Sequence, residues 1–334
     1  MSTMEDLEKR IQALEDMRAI ERLQATYWDT LDAKDWDGLA ACLVEDFVFI
    51  NNTTGGRYEG RDGMLETMKG KFGDNVTSSQ MREAMRQVGF HKVIEVAVGA
   101  DMCTAEEAED FLKKVPEQQP FMATSCCPSW SVMAKKLFPQ FKDYISMAMT
   151  PMVLTARLYK KDHPDVRIVF IGPCTAKKLE ASRRTIRSDV DFVLTFEEMQ
   201  GIFDAKGIVP SEMPYDPDDE FSTGTSLGRG FAVTGGVADA VKKAIAEIDP
   251  EREVLVEHAD GLRECRKMLM MAKAGKYNGY LLEGMGCPGG CVAGAGTITP
   301  VKKSTAAVTR YVNEAKVKSV QESAAVKRLR EVQD

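Results

Sequence analysis

Four cysteines in three short loops have the residue type and placement to bind metal: Cys127 in TSCCPSW, Cys174 in IGPCTAKKLE, and Cys287 with Cys291 in GMGCPGGCVAG. Their thiolates are soft donors, which suits an iron–sulfur cluster or a structural zinc ion. Each loop follows a short apolar run, over 121–123, 168–171 and 280–282, that reads as a buried strand. Open α/β sheets place ligands beyond strand ends, so three thiol-bearing loops there can converge on one object.

The spacing favours the cluster. Structural zinc usually draws its ligands from paired C-x2-4-C knuckles, whereas Cys127 and Cys174 stand singly, about fifty residues apart, and only Cys287 and Cys291 are close. The spacing predicts a large strand-built pocket. Glycines 286, 289, 290, 294 and 296 permit tight turns there and let backbone N–H groups point at sulfide or other anionic ligands.

TSCCPSW, PCTAKKLE and EGMGCPGGCVAGAG resemble the three signature segments of the iron-only (FeFe) hydrogenases, in the same order and at compatible spacing. The similarity continues through GADMCTAEEAEDF and GRGFAVTGGVADAV and covers roughly residues 76–325. The AGAGTITP ending and the glycine before Pro173 look more like the less-studied branches of that family. The resemblance implies an α/β fold of two lobes, with mixed or parallel sheets flanked by helices. It also implies an H-cluster: a 4Fe-4S cubane held by Cys127, Cys174, Cys287 and Cys291, with Cys291 bridging to a diiron subcluster that carries CO, cyanide and dithiolate ligands. The implied reaction is the reversible combination of two protons and two electrons into dihydrogen. A ferredoxin or similar electron carrier and the hydrogenase maturation proteins are the implied partners. No ferredoxin-type cysteine run precedes the domain, so electrons are expected to pass directly between cubane and carrier.

The same resemblance assigns roles to neighbouring residues. Cys126 matches the family's proton-donating thiol, and its side chain is expected to diverge from that of Cys127. Asp110, Glu107 and Ser146 match a carboxylate, carboxylate and hydroxyl proton relay, with Asp110 where Glu is usual; Glu107 and Asp110 lie three apart, on one helix face. Lys177 matches the lysine that pairs with an iron-bound cyanide, Glu180 a carboxylate near the same path, and Met285 a methionine packing the diiron site. Gly172 stands where a second methionine is common and is expected to leave space. Cys42, Cys103 and Cys265 have no partner spacing and read as ordinary buried or partly exposed thiols.

Around these motifs the pattern predicts alternating elements: helices over 80–88, 105–114, 130–138, 152–160, 197–206, 237–248 and 261–274, and further strands over 93–98, 191–196 and 254–257. An exposed loop is expected over 210–220 and a C-terminal helix over 305–334. Residues 1–75 differ in character. Leu7, Ile11, Leu14, Ile20, Leu23, Tyr27 and Leu31 follow helical spacing, a second helix is expected over 36–43, and Asn51, Asn52, Gly55 and Gly56 mark a turn. With LDAKDWDGLAACLVEDFVF and GGRYEGRDGM, this α+β segment resembles the opening of SnoaL-like domains of the NTF2-like superfamily, of which only about half is present. Trp28 and Trp36 are expected to anchor it. The expected organisation is a partial SnoaL-like segment over 1–75 acting as an appendage, an H-cluster domain over 76–304, and the terminal helix. Residues 1–98 hold no Ala-Pro-Ser turn, the feature with which the hydrogenase family walls its cyanide ligands.

The bulk properties agree. At 334 residues the chain can bury a large core, and its net charge of −7 disfavours nucleic acid as a main partner. Apolar stretches are interrupted well short of a membrane span, and MSTMEDLEKR lacks the apolar core of a signal peptide. Eight cysteines clustered in loops fit a reducing, cytoplasmic setting. Two further readings stay open: a regulatory or electron-transfer 4Fe-4S protein with little turnover, and an NTF2-like binding module whose cysteines are vestigial.

Overall fold

A computed structural model describes residues 4–50, 57–68, 76–216 and 224–333. The chain forms two units, residues 1–71 with 298–301, and residues 72–297 with 302–334.

In the first unit, apolar residues at helical spacing form α1 (Met4–Asp32), and Asp35 caps α2 (Trp36–Ala41) by accepting the Gly38 N–H at 3.1 Å. β1 (Val48–Ile50) pairs antiparallel with β2 (Arg57–Glu59), and α3 (Arg61–Met68) follows. The turn expected at residues 51–56 lies outside the described residues. Trp28 is not an anchor: it stands near the C-terminal end of α1 with 54 % of its surface exposed, on a side of the helix that α2 does not cover.

The second unit opens with α4 (Ser78–Val88), entered through a Thr77/Gln80 capping box, and α5 (Ala97–Lys114). There follow β3 (Met122–Ala123), α6 (Pro128–Leu137), α7 (Pro151–Asp162), β4 (Val169–Ile171), α8 (Ala176–Ala181), β5 (Phe192–Leu194) and α9 (Phe196–Lys206). α10 (Ser226–Gly230), α11 (Gly236–Ile248), β6 (Leu255–Asp260), α12 (Leu262–Lys273), β7 (Tyr280–Met285), α13 (Val301–Asn313) and α14 (Ala324–Gln333) complete it. β3, β7 and β6 form a parallel sheet in that order, with Ala123 opposite Leu282 and Asp260 opposite Met285; β4 and β5 form a separate parallel pair. Helices flank both sheets, burying Phe111, Met122, Val241, Ile245 and Leu281 in one cluster and Phe121, Trp130, Ile145, Leu269 and Leu282 in another.

Several expectations need correction. Residues 93–98 are not a strand: 92–95 are irregular and α5 already begins at Ala97. Their β-branched residues suggest a strand, but small residues let a helix pack closely here. A Cβ on Gly99 would collide with the Pro151 carbonyl oxygen and the Thr155 hydroxyl of α7, so tertiary packing overrides local propensity. The C-terminal stretch is two helices instead of one. Between them the chain turns to bury Val320, and Ser323 donates a 3.1 Å hydrogen bond to Asp101 on α5. The exposed loop expected from residue 210 instead starts as a short 3-10 turn, Pro210–Glu212, with Pro210 buried and Gln80 donating to the Ser211 and Met213 carbonyls at 3.1 and 3.0 Å. Residues 217–220 of that loop lie outside the described residues. Among the described residues, no helix is long and apolar enough to cross a membrane.

Candidate metal centre

Parallel pairing of β3 with β7 sends the loops that carry Cys127 and Cys287 off the same end of one sheet. Cys127 becomes the N-cap residue of α6, where its carbonyl accepts the Ser131 N–H at 3.0 Å and Pro128 occupies the first helical position. The Gly286 N–H donates to the Cys127 sulfur at 3.3 Å, tying the first loop to the third. The second loop joins through Gly296, whose N–H donates to the Pro173 carbonyl at 2.9 Å beside Cys174. Gly290, at φ +97°, has the Thr234 nitrogen 2.7 Å from where a Cβ would stand, so this turn admits only glycine.

The thiols sense one another electrostatically. Burial pushes Cys291 up to about 12, and the charges of Cys127, Cys174 and Cys287 add to it; Cys287 rises to about 11 through burial and then Cys174 and Cys127. Cys174 is raised by burial, against which the backbone N–H groups of Lys177 and Ala176 pull downward. Cys174, Cys287 and Cys291, raised in this way, need compensating positive charge to stand beside Cys127 as thiolates. Among the described residues, no three His, Cys, Asp or Glu side chains gather closely enough to hold a single metal ion. Three loops tied by hydrogen bonds, backbone donors on sulfur and mutually coupled thiols fit a polynuclear iron–sulfur cluster, whose thiolate ligands stand at the corners of a larger object.

Beside them lies a buried polar group. Glu107 on α5 is fully buried, and its Oε1 accepts the Ser125 N–H at 3.1 Å and the Ser125 hydroxyl at 3.4 Å. The Ser146 hydroxyl faces the same carboxylate, while Oε2 has no hydrogen-bond partner. Burial lifts Glu107 to about 7 against the downward pull of Ser125 and Ser146. Cys126 is buried in a cluster with Met285 and Phe231, and Cys127 packs against that cluster and against a second one. Lys177 is buried on α8, donating to Glu180 at 2.7 Å and to the Cys126 carbonyl at 3.3 Å. The structure thus gathers Cys126, Glu107, Ser146, Lys177, Glu180 and Met285 around the thiol loops. Asp110 sits elsewhere on α5, partly exposed and paired with Lys114 at 2.7 Å. Gly172 does not leave the expected space: the Phe170 ring lies 2.8 Å from where its Cβ would be.

Two residues, Asp260 and Glu283, escaped the sequence reading, while Cys103 and Cys265 stand as the buried thiols expected. Cys103 shares an apolar cluster with Cys126, and its charge helps raise that thiol. Cys265 donates to the Ala259 and Met285 carbonyls at 3.3 Å each, behind the loop of Cys287. Asp260, at the end of β6, accepts from the Thr234 hydroxyl at 3.0 Å and the Gly289 N–H at 2.9 Å. Glu283 caps α11 by accepting the Gly235 and Ala238 N–H groups at 2.8 and 2.7 Å. Only Glu283 left a signal, as a carboxylate inside an otherwise apolar strand.

Residues 65–295 match the family described as iron only hydrogenase large subunit, C-terminal domain, and residues 12–108 match a SnoaL-like domain. The chain therefore belongs to the iron-only hydrogenase family, as the match spans more than half of it. It is 29 % identical over 270 residues to iron hydrogenase 1 of Clostridium pasteurianum, covering 67 % of this chain and 46 % of that protein. It is also 27 % identical over 273 residues to cytosolic iron-sulfur assembly component 3 of Rattus norvegicus, covering 66 % of this chain and 57 % of that one. A solved FeFe-hydrogenase HydA1 from Chlamydomonas reinhardtii shares the fold at a TM-score of 0.61 and 23 % identity, over 77 % of this chain and 83 % of that one. The chain spans about half the length of the curated hydrogenases it matches.

Proposed function

We propose that this chain reversibly reduces protons to dihydrogen, and that Cys127, Cys174, Cys287 and Cys291 would hold a 4Fe-4S cubane, with Cys291 also the residue that would carry a diiron subcluster. When bound, such a cofactor would relay electrons and supply the site at which hydrogen is made or split. The chain's own residues do the rest. The buried Lys177 ammonium, steadied by Glu180 and the Cys126 carbonyl, is a charged donor suited to an iron-bound cyanide. Met285 supplies an apolar wall. Glu107 can take up and release a proton near neutral pH, and the Ser125 and Ser146 hydroxyls beside it can both donate and accept. Cys126 would pass that proton on. Electrons would come from a ferredoxin-like carrier, and loading would need the hydrogenase maturation proteins.

The observation that carries this reading is Glu107, a fully buried carboxylate with an unpartnered oxygen beside hydroxyls and thiols. A second reading, a cluster-bearing protein with little turnover, is favoured by Phe170 filling the side of Gly172 and by the absence of an Ala-Pro-Ser turn in residues 1–98. Infrared spectroscopy and a dihydrogen assay on anaerobically matured protein separate the two. Iron-bound carbonyl and cyanide bands with turnover are expected; a cubane signal without those bands selects the second reading, and iron-free protein refutes both.

A further inference from the structure

Among the described residues of its own unit, α1 packs only near its C-terminal end, on α2. At 29 residues and about 1.5 Å per residue it is roughly 44 Å long, and its described side chains are exposed at Met4 and throughout 6–26. A lone helix of this kind gains nothing from packing, yet Met4, Leu7, Ile11, Leu14, Met17 and Ile20 expose between 44 and 75 % of their surfaces. Their spacing, continued through Gln24 and Tyr27, runs in steps of three and four. That is the seam of a helix built to pack against another helix, with one step shortened from four to three between Leu14 and Met17.

We propose that α1 pairs in parallel with α1 of a second copy of this chain, making the protein a two-fold dimer. The area fits. Side chains of this size, about half exposed, leave roughly 900 Å² of apolar surface on α1, beyond the largest patch of an ordinary monomer and close to one partner's share of a stable interface. Parallel pairing also accounts for the remaining exposed apolar residues. With Met4, Ile11, Met17 and Gln24 at one seam position and Leu7, Leu14, Ile20 and Tyr27 at the other, Leu23 flanks the seam opposite the partner's Trp28. Arg10 then faces the partner's Glu15 with opposite charge, against one like-charged contact between Asp16 and the partner's Glu21. An antiparallel pair would instead bring Glu15 and Asp16 of both copies together at the two-fold axis. A polar Gln24 in the seam fixes the register.

Sedimentation equilibrium of the full chain tests the surface. A dimer at micromolar concentration is expected, and Ile11→Asp with Ile20→Asp should weaken association at least roughly a hundredfold while leaving the circular dichroism of the chain unchanged. Because these positions are exposed in one chain, the substitutions disturb no core. Oxidation of Leu14→Cys, run beside the wild type to account for native thiols, should link the two copies at that position. A chain that stays monomeric at high concentration, a dimer that survives both aspartates, or no added cross-link in Leu14→Cys would overturn the proposal.

Discussion

Replacing Glu107 by Gln removes one buried ionisation and keeps the shape. The Gln carbonyl can still accept the Ser125 N–H that Oε1 now accepts at 3.1 Å, so packing on α5 is preserved. A glutamate that ionises at 4.5 in the unfolded chain and at about 7 when folded disfavours the folded state once it is charged, by about 3 kcal/mol in full. The sign follows from proton counts. Below pH 4.5 both states hold the proton and the group costs nothing. Between 4.5 and about 7 the unfolded chain releases its proton first, so stability falls as pH rises; above about 7 the slope vanishes. Denaturant unfolding of the metal-free chain from pH 4 to pH 8 should show wild-type stability dropping by about 3 kcal/mol more than that of Glu107→Gln. Asp101, raised to about 6, titrates in the same window but cancels in the difference. In matured protein the same variant should lose roughly a hundredfold or more of dihydrogen turnover with its infrared bands intact. A difference curve flat across pH 4.5 to 7 would show that Glu107 is not held protonated, and the relay reading would lose its support.

Alanine at any one of Cys127, Cys174, Cys287 or Cys291 should lower the iron bound per chain after anaerobic reconstitution, as read by iron assay and the visible spectrum; full iron content in a variant would remove that cysteine from the ligand set. Cys126→Ala should keep the carbonyl and cyanide bands yet lose most turnover, because it takes away a proton carrier and no ligand; wild-type rates would refute the role. Asp101→Ala strips the Thr225 N–H, the Thr225 hydroxyl and the Ser323 hydroxyl of their shared acceptor, at 3.0, 2.6 and 3.1 Å, inside the core. It should cost about 3 kcal/mol or more in denaturant unfolding, and a loss under 1 kcal/mol would show that water replaces the carboxylate.

The cysteine loops were legible in the sequence because each follows a short apolar run that reads as a strand, and those runs became β3, β4 and β7, of which β4 is half-buried instead of buried. Residues 93–98 were misread because Val93, Ile94, Val96 and Val98 satisfy strand propensity, whereas the deciding contact, Gly99 against Pro151 and Thr155, spans fifty residues and leaves no local trace. The same holds for the contacts of Asp260 with Gly289 and of Cys265 with Met285, which sheet order brings together. Phe170 shows the limit at side-chain scale: a glycine at 172 signals room, but only coordinates show which neighbour takes it.

The family contains both hydrogenases and an iron–sulfur assembly component at similar identity, so the four thiols cannot decide between chemistry and mere cluster binding. A discriminating residue must be costly to the fold and useless to a passive cluster holder. Lys177 fails that criterion, since with Glu180 and the Cys126 carbonyl it forms a satisfied buried pair that could be structural. Glu283 and Asp260 fail as well, because Glu283 caps α11 and Asp260 ties down the loops of Thr234 and Gly289, both structural tasks. Glu107 meets it: one oxygen is engaged by Ser125, the other has no partner, and burial holds its proton to about neutral pH. A glutamine there would make the same backbone contact without the ionisation cost. A carboxylate kept at that cost beside two hydroxyls, in the core with Cys103 and Cys126 close enough to feel its charge, is what a proton path requires and what a passive scaffold does not.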